Sequence, residues 1–506
     1  MVTLALEMSA SRLLGNVFGP SNLVWASIIG LILIYLAGGY FIGGAWADRS
    51  PHPQTFFRIL FWAAILSAVV PVLSRPVLRI AASAFDQLQL GILLGSFSAV
   101  IVLLAIPVTL LGTASPFAIR LSTLDQSKQS SIGRISGRIY AVSTLGSFIG
   151  TFLPVLLLIP TVGTYRTFIA FAGVLMIISM IGIKKVSGWK GLLPFVWAPL
   201  LLVALLIIGL RGSDKNSLGQ VYETESAYNY IQVLEQNGFT MLRLNEGQGI
   251  HSIYAEDVVN YYGPWEQVLV APFFNPAPHA PDSVKRLAIV GLAAGTTARQ
   301  ASLVFGDIAI DGFEIDPKIV QIGRDYFDMN QPNLSVFIQD GRWGLEHSPH
   351  RYDIISIDAY RPPYIPAHLT TTEFFGIARE HLTSDGILVV NVGRAPNDRR
   401  LVNALATTIL AHFSSVHVVD VPNSFNSIIF ASVNETVSDN LRSNHDYLAQ
   451  QTDAHPLLLE TLRIAIDNLQ PAPDRSLVFT DDRAPIEWIT NDMVIRFLIS
   501  PVLEGL

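Results

Sequence analysis

Apolar positions fall in two different patterns along this chain. Up to about residue 210 they come in long blocks, at roughly 22–44, 57–74, 90–112, 139–160, 165–183 and 191–210, with charges confined to the joints. Each block is near the ~20 residues that one bilayer-crossing helix needs, so the pattern predicts about six spans. An earlier stretch, MVTLALEM, is apolar but too short to span. It lacks the basic start and small-residue cleavage site of a signal peptide, and reads as the tail of a further helix. Gly39 with Gly43, and Gly146 with Gly150, have the four-residue spacing that lets helix backbones approach closely in lipid.

Beyond residue 216 the period shortens. Two alternating runs flank QNGF, an Asn-Gly hairpin turn, within residues 228–256. From residue 286 apolar strands alternate with helical segments. RLAIV (286–290) runs into a glycine turn, GLAAG. IAIDGFEID (308–316) ends on Glu314. LSVFIQDGR (334–342) ends near Asp340. YDIISID (352–358) ends on Asp358, and GILVVNVG (386–393) is a fifth strand. Asp316-Pro317 is a helix start, with an Asp cap and Pro at the first position. The expected architecture is an α-helical transmembrane bundle over 1–211 followed by an α/β doubly wound domain over 216–506. The second domain divides into a small β-hairpin sheet (220–260), a Rossmann-like part (284–435) and a C-terminal extension (436–506).

Composition agrees with two solvents in one chain. Half of the 506 residues are hydrophobic and 14% are charged. Residues 1–211 hold 14 Lys+Arg against 4 Asp+Glu, a balance of +10; the remainder holds 19 against 36, a balance of −17. The acidic second half makes nucleic acid an unexpected partner and suits a cationic small molecule. The absence of cysteine removes disulfides and thiolate chemistry. The histidines lack metal-ligand spacing, so no metal site is expected. The multi-pass cell-membrane location follows from the blocks. Basic residues at the joints divide nine against six between the two sides, which leaves the side of the soluble domain open. GGAWADRS (43–50) is similar to a short loop motif of major-facilitator transporters.

Ligands of doubly wound sheets bind at the carboxyl ends of the strands, and Glu314, Asp340 and Asp358 all fall there. Gly291 and Gly295 permit a tight turn and close backbone approach. Glu314, 23 residues after Gly291, stands where an acid grips ribose hydroxyls. GLAAGT departs from the dinucleotide glycine pattern, so an adenosine-containing ligand is expected, with Glu314 on ribose and Asp340, beside Gly341, near the adenine amine.

In the order and spacing of ESAYNYIQV…LRLNEGQG, GLAAG, FEIDPKIV, QDGR, YDIISIDAY and PAHLTTTEFF, residues 222–392 resemble the spermidine synthases, and the apolar half ahead of them resembles a membrane-bound branch of that family. These aminopropyltransferases share their fold with S-adenosylmethionine methyltransferases. The resemblance implies that no cofactor is held permanently. The co-substrate would be decarboxylated S-adenosylmethionine (or S-adenosylmethionine), and an amine such as putrescine would accept the aminopropyl group to give spermidine and methylthioadenosine. It implies Asp358 as the base, Tyr360 orienting the amine, and Gln248 lining the pocket. Residues 362–371 would form a lid, and Tyr262 and Arg361 would be further substrate contacts. Two acids of the family are replaced, by Ala294 in the glycine turn and by Arg361 beyond Asp358; its Tyr-His pair is replaced by Pro264-Trp265. An Arg at 361 would repel a cationic amine and attract a carboxylate. Two alternatives therefore stay open: another S-adenosylmethionine-dependent transferase, and a non-catalytic binding, scaffold or transport protein built on the same fold. FTDDRAPIEW (479–488) also resembles a segment of the membrane-bound branch. Expected partners are the lipid bilayer and a cationic amine, with a homodimer left open.

Overall fold

The computed structural model describes residues 1–18, 22–88, 92–124, 132–210, 217–245, 249–360 and 364–499. Contacts divide it into two units, Met1–Asn216 and Ser217–Leu506.

The first unit is helical. Among the described residues five helical segments are long and apolar enough to cross a membrane: Val24–Arg49, Pro53–Leu78, Gly95–Leu124, Ile132–Val162 and Thr164–Phe195. The sixth expected span, 191–210, does not form as one helix. A left-handed Gly188 (φ 64°) and a turn at Leu193–Phe195, which contains Pro194, separate the preceding helix from a 13-residue helix, Ala198–Leu210. Val2–Phe18 is helical over 17 residues. Gly39 and Gly43 pack directly on neighbouring backbone: an added Cβ would meet Gly112 Cα at 2.8 Å and Thr113 Cα at 2.6 Å respectively. Gly150 lies equally close to Met1, so both glycine pairs include a position with no room for a side chain. In the 43–50 loop motif, Asp48 pairs with Arg120 at 3.1 Å.

Among its described residues the second unit contains two sheets. The smaller is an antiparallel meander of four strands: β1 Gln220–Glu225, β2 Tyr230–Gln236, β3 Phe239–Leu244 and β4 Ile250–Tyr254. Asn237 and Gly238 both take positive φ between β2 and β3, the hairpin geometry that Asn-Gly favours. The larger sheet comprises β5 Arg286–Val290, β6 Ala309–Glu314, β7 Leu334–Ile338, β8 Tyr352–Ile357, β9 Leu382–Gly393, β10 Ser415–Asp420 and β11 Asn426–Ser432. Its spatial order is β10-β11-β9-β8-β5-β6-β7. The five strands from β5 to β9 are parallel, and β11 and β10 close one edge antiparallel.

Strand alternation divides the core between the two faces of this sheet. Ala288, Val290, Ile355, Ile357 and Val390 join one apolar layer. Leu287, Ile289, Ile354 and Val389 join the other. Both faces are covered, as a parallel sheet requires. The order reverses at β5, whose neighbours are β6 on one side and β8 on the other. In doubly wound sheets ligands bind at such a switch point, beyond the carboxyl ends of the strands, here those of β5 and β8.

Candidate active site

The turn after β5 is built from the backbone outward. Gly291 has φ 90° and lies against the β8 exit: an added Cβ would meet Ala359 N, Ala359 Cα and Asp358 O at 2.6 Å. Asp358 N–H in turn donates to Val290 O (2.9 Å). Only glycine tolerates both that φ and that approach, so Gly291 sets the first site acid beside the turn. Gly295 (φ 86°) caps the helix Thr296–Phe305, and a Cβ there would meet Met329 Cγ at 2.6 Å. Gly341, at the start of the helix Gly341–Glu346, packs against Val290 with no room for a Cβ. Turns from three strands therefore meet at the end of β5.

Glu314 closes the turn. It is buried and accepts from Ala293 N–H (3.0 Å) and Asp316 N–H (3.0 Å). Burial pushes its carboxyl up to about 7, with those backbone donors pulling the other way. Asp316 is spent on structure: it caps Lys318 N–H (2.9 Å) and accepts from Asn229 Nδ2 (2.9 Å), tying the small sheet down. The small sheet also grips the glycine turn itself. Ala294 N–H donates to Ser252 Oγ (2.9 Å), and Thr296 Oγ1 bonds both Ile253 N–H and Ile253 O at 2.9 Å.

Asp358 is half-buried at the end of β8, and burial raises its carboxyl to about 6. Its bonded partner is Asn391 on β9, whose Nδ2 donates to Asp358 Oδ1 (2.8 Å). Asn391 is itself held by Asn426, Nδ2 to Oδ1 (2.8 Å). Tyr360 Oη donates to Asn391 O (3.2 Å), and burial, followed by the Asp358 charge, pushes the phenol well up. Tyr360 is thus a neutral donor beside a carboxylate that takes up a proton near neutral pH.

Asp340 caps its helix, accepting from Arg342 N–H (3.0 Å) and Trp343 N–H (3.1 Å), and its Oδ2 stands 2.9 Å from His368 Nε2. Burial opposes ionisation, but these donors hold the carboxyl below its ordinary range. Two acids poised near neutrality, one held ionised and a donor phenol therefore stand at the strand ends, as groups that can accept hydrogen bonds and exchange a proton near neutral pH.

Residues 278–441 match the family model of the spermine/spermidine synthase domain. The chain carries a spermine/spermidine synthase domain. A probable polyamine aminopropyl transferase of Bifidobacterium longum is 31% identical over 283 residues, 53% of this chain and 61% of that protein. The aligned part is thus under two thirds of that relative. A polyamine aminopropyltransferase of Vibrio vulnificus is 27% identical over 267 residues, covering 50% of this chain and 84% of its own. A solved structure described as a probable spermidine synthase from Corynebacterium glutamicum aligns with TM-score 0.39 at 18% identity, over 51% of this chain and 97% of that one.

Within the synthase domain, Gly291, Gly295, Glu314, Gly341, Asp358 and Tyr360 stand at one end of the large sheet, and Asp340 faces the segment that follows Tyr364. Gln248 and Arg361 lie outside the described residues, as do Pro362 and Pro363 of the expected lid. Tyr262 points elsewhere: it is 64% exposed at φ 56°, with its N–H bonded to Asn260 Oδ1 (3.1 Å). Its side chain lies in solvent, and the inward member of the pair is Tyr261, whose Oη meets Ala255 N–H (3.2 Å) and Arg299 (3.3 Å). Ala294 is buried, with its N–H spent on Ser252. Among the described residues no cluster of His, Asp and Glu is arranged to hold a metal.

Sequence reasoning passed over Asn391. A lone amide in the otherwise apolar run GILVVNVG was the available signal, because a buried polar side chain on a central strand needs a partner.

Proposed function

We propose that the chain is a membrane-anchored aminopropyltransferase that acts on a small amine, such as putrescine, with decarboxylated S-adenosylmethionine as donor. The observation that carries this reading is the Asn391–Asp358–Tyr360 arrangement at the switch point, inside a matched synthase domain. Five long apolar helices support the anchoring.

Glu314 would accept the ribose hydroxyls, with the glycine turn against the nucleoside. Asp340 would take the adenine amino group, which requires His368 to yield that carboxylate oxygen. An alkylamine is almost wholly protonated at neutral pH, with a pKa of about 10 by analogy with lysine. Ionised Asp358 removes one proton from it. The freed nitrogen lone pair then attacks the methylene carbon bonded to the donor's sulfonium sulfur. The new C–N bond forms as the C–S bond breaks, and the bonding pair returns to sulfur. The products are methylthioadenosine and the aminopropylated amine, with the proton left on Asp358. Tyr360 stays neutral and can donate toward the acceptor or its water. Closure of the lid would exclude water and strengthen these interactions.

The ionised form of Asp358 is the active one, so kcat/KM falls as pH drops through about 6. Asn391 donates to the charged form and lowers that value. In Asn391→Leu the acid limb is expected to move up by about one pH unit, with the alkaline limb unchanged. An unshifted limb would remove Asn391 from its positioning role.

One observation favours a second reading, transfer from S-adenosylmethionine itself. At position 294 a buried alanine offers no counter-charge to the ammonium of the decarboxylated donor, whereas in S-adenosylmethionine that ammonium is balanced by its own carboxylate. Comparing turnover with the two donors separates these readings.

A further inference from the structure

The described part of the expected lid, residues 364–371, is fastened at both ends to a segment beyond the matched domain. At its start, Tyr364 Oη donates to Asn491 Oδ1 (2.6 Å) on the helix Ile486–Ile499. At its end, Thr371 Oγ1 donates to Asp481 Oδ1 (2.7 Å), and Thr372 N–H donates to Phe479 O (2.9 Å).

Asp481 also reaches the nucleoside side of the site. Arg342, two residues after Asp340, makes a two-pronged pair with it: Nη1 to Oδ1 at 2.7 Å and Nη2 to Oδ2 at 2.8 Å. The same Nη1 donates to His368 O (3.2 Å), and His368 stands on Asp340. The presenting turn is itself fixed. Phe479 is fully buried in the core, with its N–H on Thr408 Oγ1 (3.0 Å), and Thr480 and Arg483 exchange backbone bonds at 3.0 and 2.9 Å. Asp492 anchors the following helix to Arg400 (2.7 Å).

We propose that residues 479–491 hold residues 364–371, with Asn491 gripping Tyr364 and Asp481 gripping Thr371, and that Asp481 is a positioning residue that couples this segment to the helix begun by Asp340. A charged two-pronged pair is among the stronger polar contacts, and here one carboxylate serves Arg342 and Thr371 together. Asp481 touches no substrate in this account; it acts through Arg342, Thr371 and His368. Only its consequence for turnover rests on the aminopropyl-transfer reading.

Hydrogen exchange on the full chain in detergent tests the holder without any substrate. The amides of Leu369 and Thr370 are protected by bonds to Pro366 O and Ala367 O inside the lid, and that of Thr372 by Phe479 O. In Asp481→Asn these three amides are expected to exchange about tenfold faster or more, with peptides of β5, β8 and β9 unchanged. Asp481→Glu should recover part of the protection. Unchanged exchange over 364–372 would overturn the proposal. If Asp481→Asn loosens the whole domain, Tyr364→Phe decides. Faster exchange confined to the lid keeps the proposal, and wild-type exchange there sinks it. Where transfer is measurable, kcat/KM for the amine should fall about tenfold in Asp481→Asn with kcat nearly kept, because a loosened lid costs binding before it costs chemistry. A loss confined to kcat would contradict the positioning role. Lid exchange that rises in a protein with no transfer activity would keep the holder and reject the aminopropyl-transfer reading.

Discussion

Asp358→Asn is expected to lower kcat by about 10²–10⁴-fold, the range in which a positioned general base contributes. Methylthioadenosine affinity should stay within a factor of about three, because the proposed arrangement sets Asp358 against the amine and not the nucleoside. The substitution is nearly isosteric, and Asn391 can bond the new amide oxygen as it bonds Oδ1 now. The backbone bond from residue 358 to Val290 O is unaffected. What is lost is a group able to take a proton near pH 6. Raising pH should restore part of the rate as the amine loses its proton to solvent. A variant that retains wild-type turnover would remove Asp358 from the chemistry.

The second large effect is at Glu314. Glu314→Gln should weaken methylthioadenosine binding by about 10–100-fold, the scale of hydrogen bonds to a charged acceptor. Glutamine keeps an acceptor oxygen for one of the two backbone donors, so the turn should hold. The wild-type pH dependence carries a sign. Folding raises this carboxyl from 4.5 to about 7. The folded state therefore binds its proton more tightly than the unfolded state. Its contribution to stability is present at low pH and is lost as pH rises from about 4.5 through about 7, by roughly 3 kcal/mol at 1.36 kcal/mol per unit. Ribose hydroxyls that donate to the carboxylate favour the charged form. Nucleoside binding should therefore tighten as pH rises through about 7 and release a proton, seen as a buffer-dependent heat in calorimetry. In Glu314→Gln that proton release should vanish. Binding independent of pH in the wild type would place the ribose elsewhere.

The parts of this fold visible in the sequence are those governed by local pattern. Strand–helix alternation, the Asn-Gly hairpin and the Asp316-Pro317 cap depend on neighbours in the chain, and each is where the residues place it. The acids at strand ends were legible for the same reason, since a doubly wound sheet puts every such end on one side. The sixth membrane block misled because hydropathy averages over Pro194, where the turn Leu193–Phe195 interrupts the helix. Tyr262 misled because adjacency in sequence says nothing about which of two tyrosines turns inward; here Tyr262 is 64% exposed and Tyr261 is the one that packs. Asn391 was hidden for a different reason, as were the partners of Asp481, although the segment FTDDRAPIEW itself stood out. Both roles depend on partners 33 residues away for Asn391, and 110 and 139 residues away for Asp481, a relation that appears only once the sheet is assembled.

Transfer of an aminopropyl group is the reaction proposed for the Asp358 site. The most direct measurement supplies the full-length protein in detergent with decarboxylated S-adenosylmethionine and putrescine and follows the products by mass spectrometry. Equal amounts of spermidine and methylthioadenosine, lost in Asp358→Asn, are the expected result. A folded protein that binds methylthioadenosine yet forms neither product, or one that forms both equally well with Asn at position 358, would contradict it.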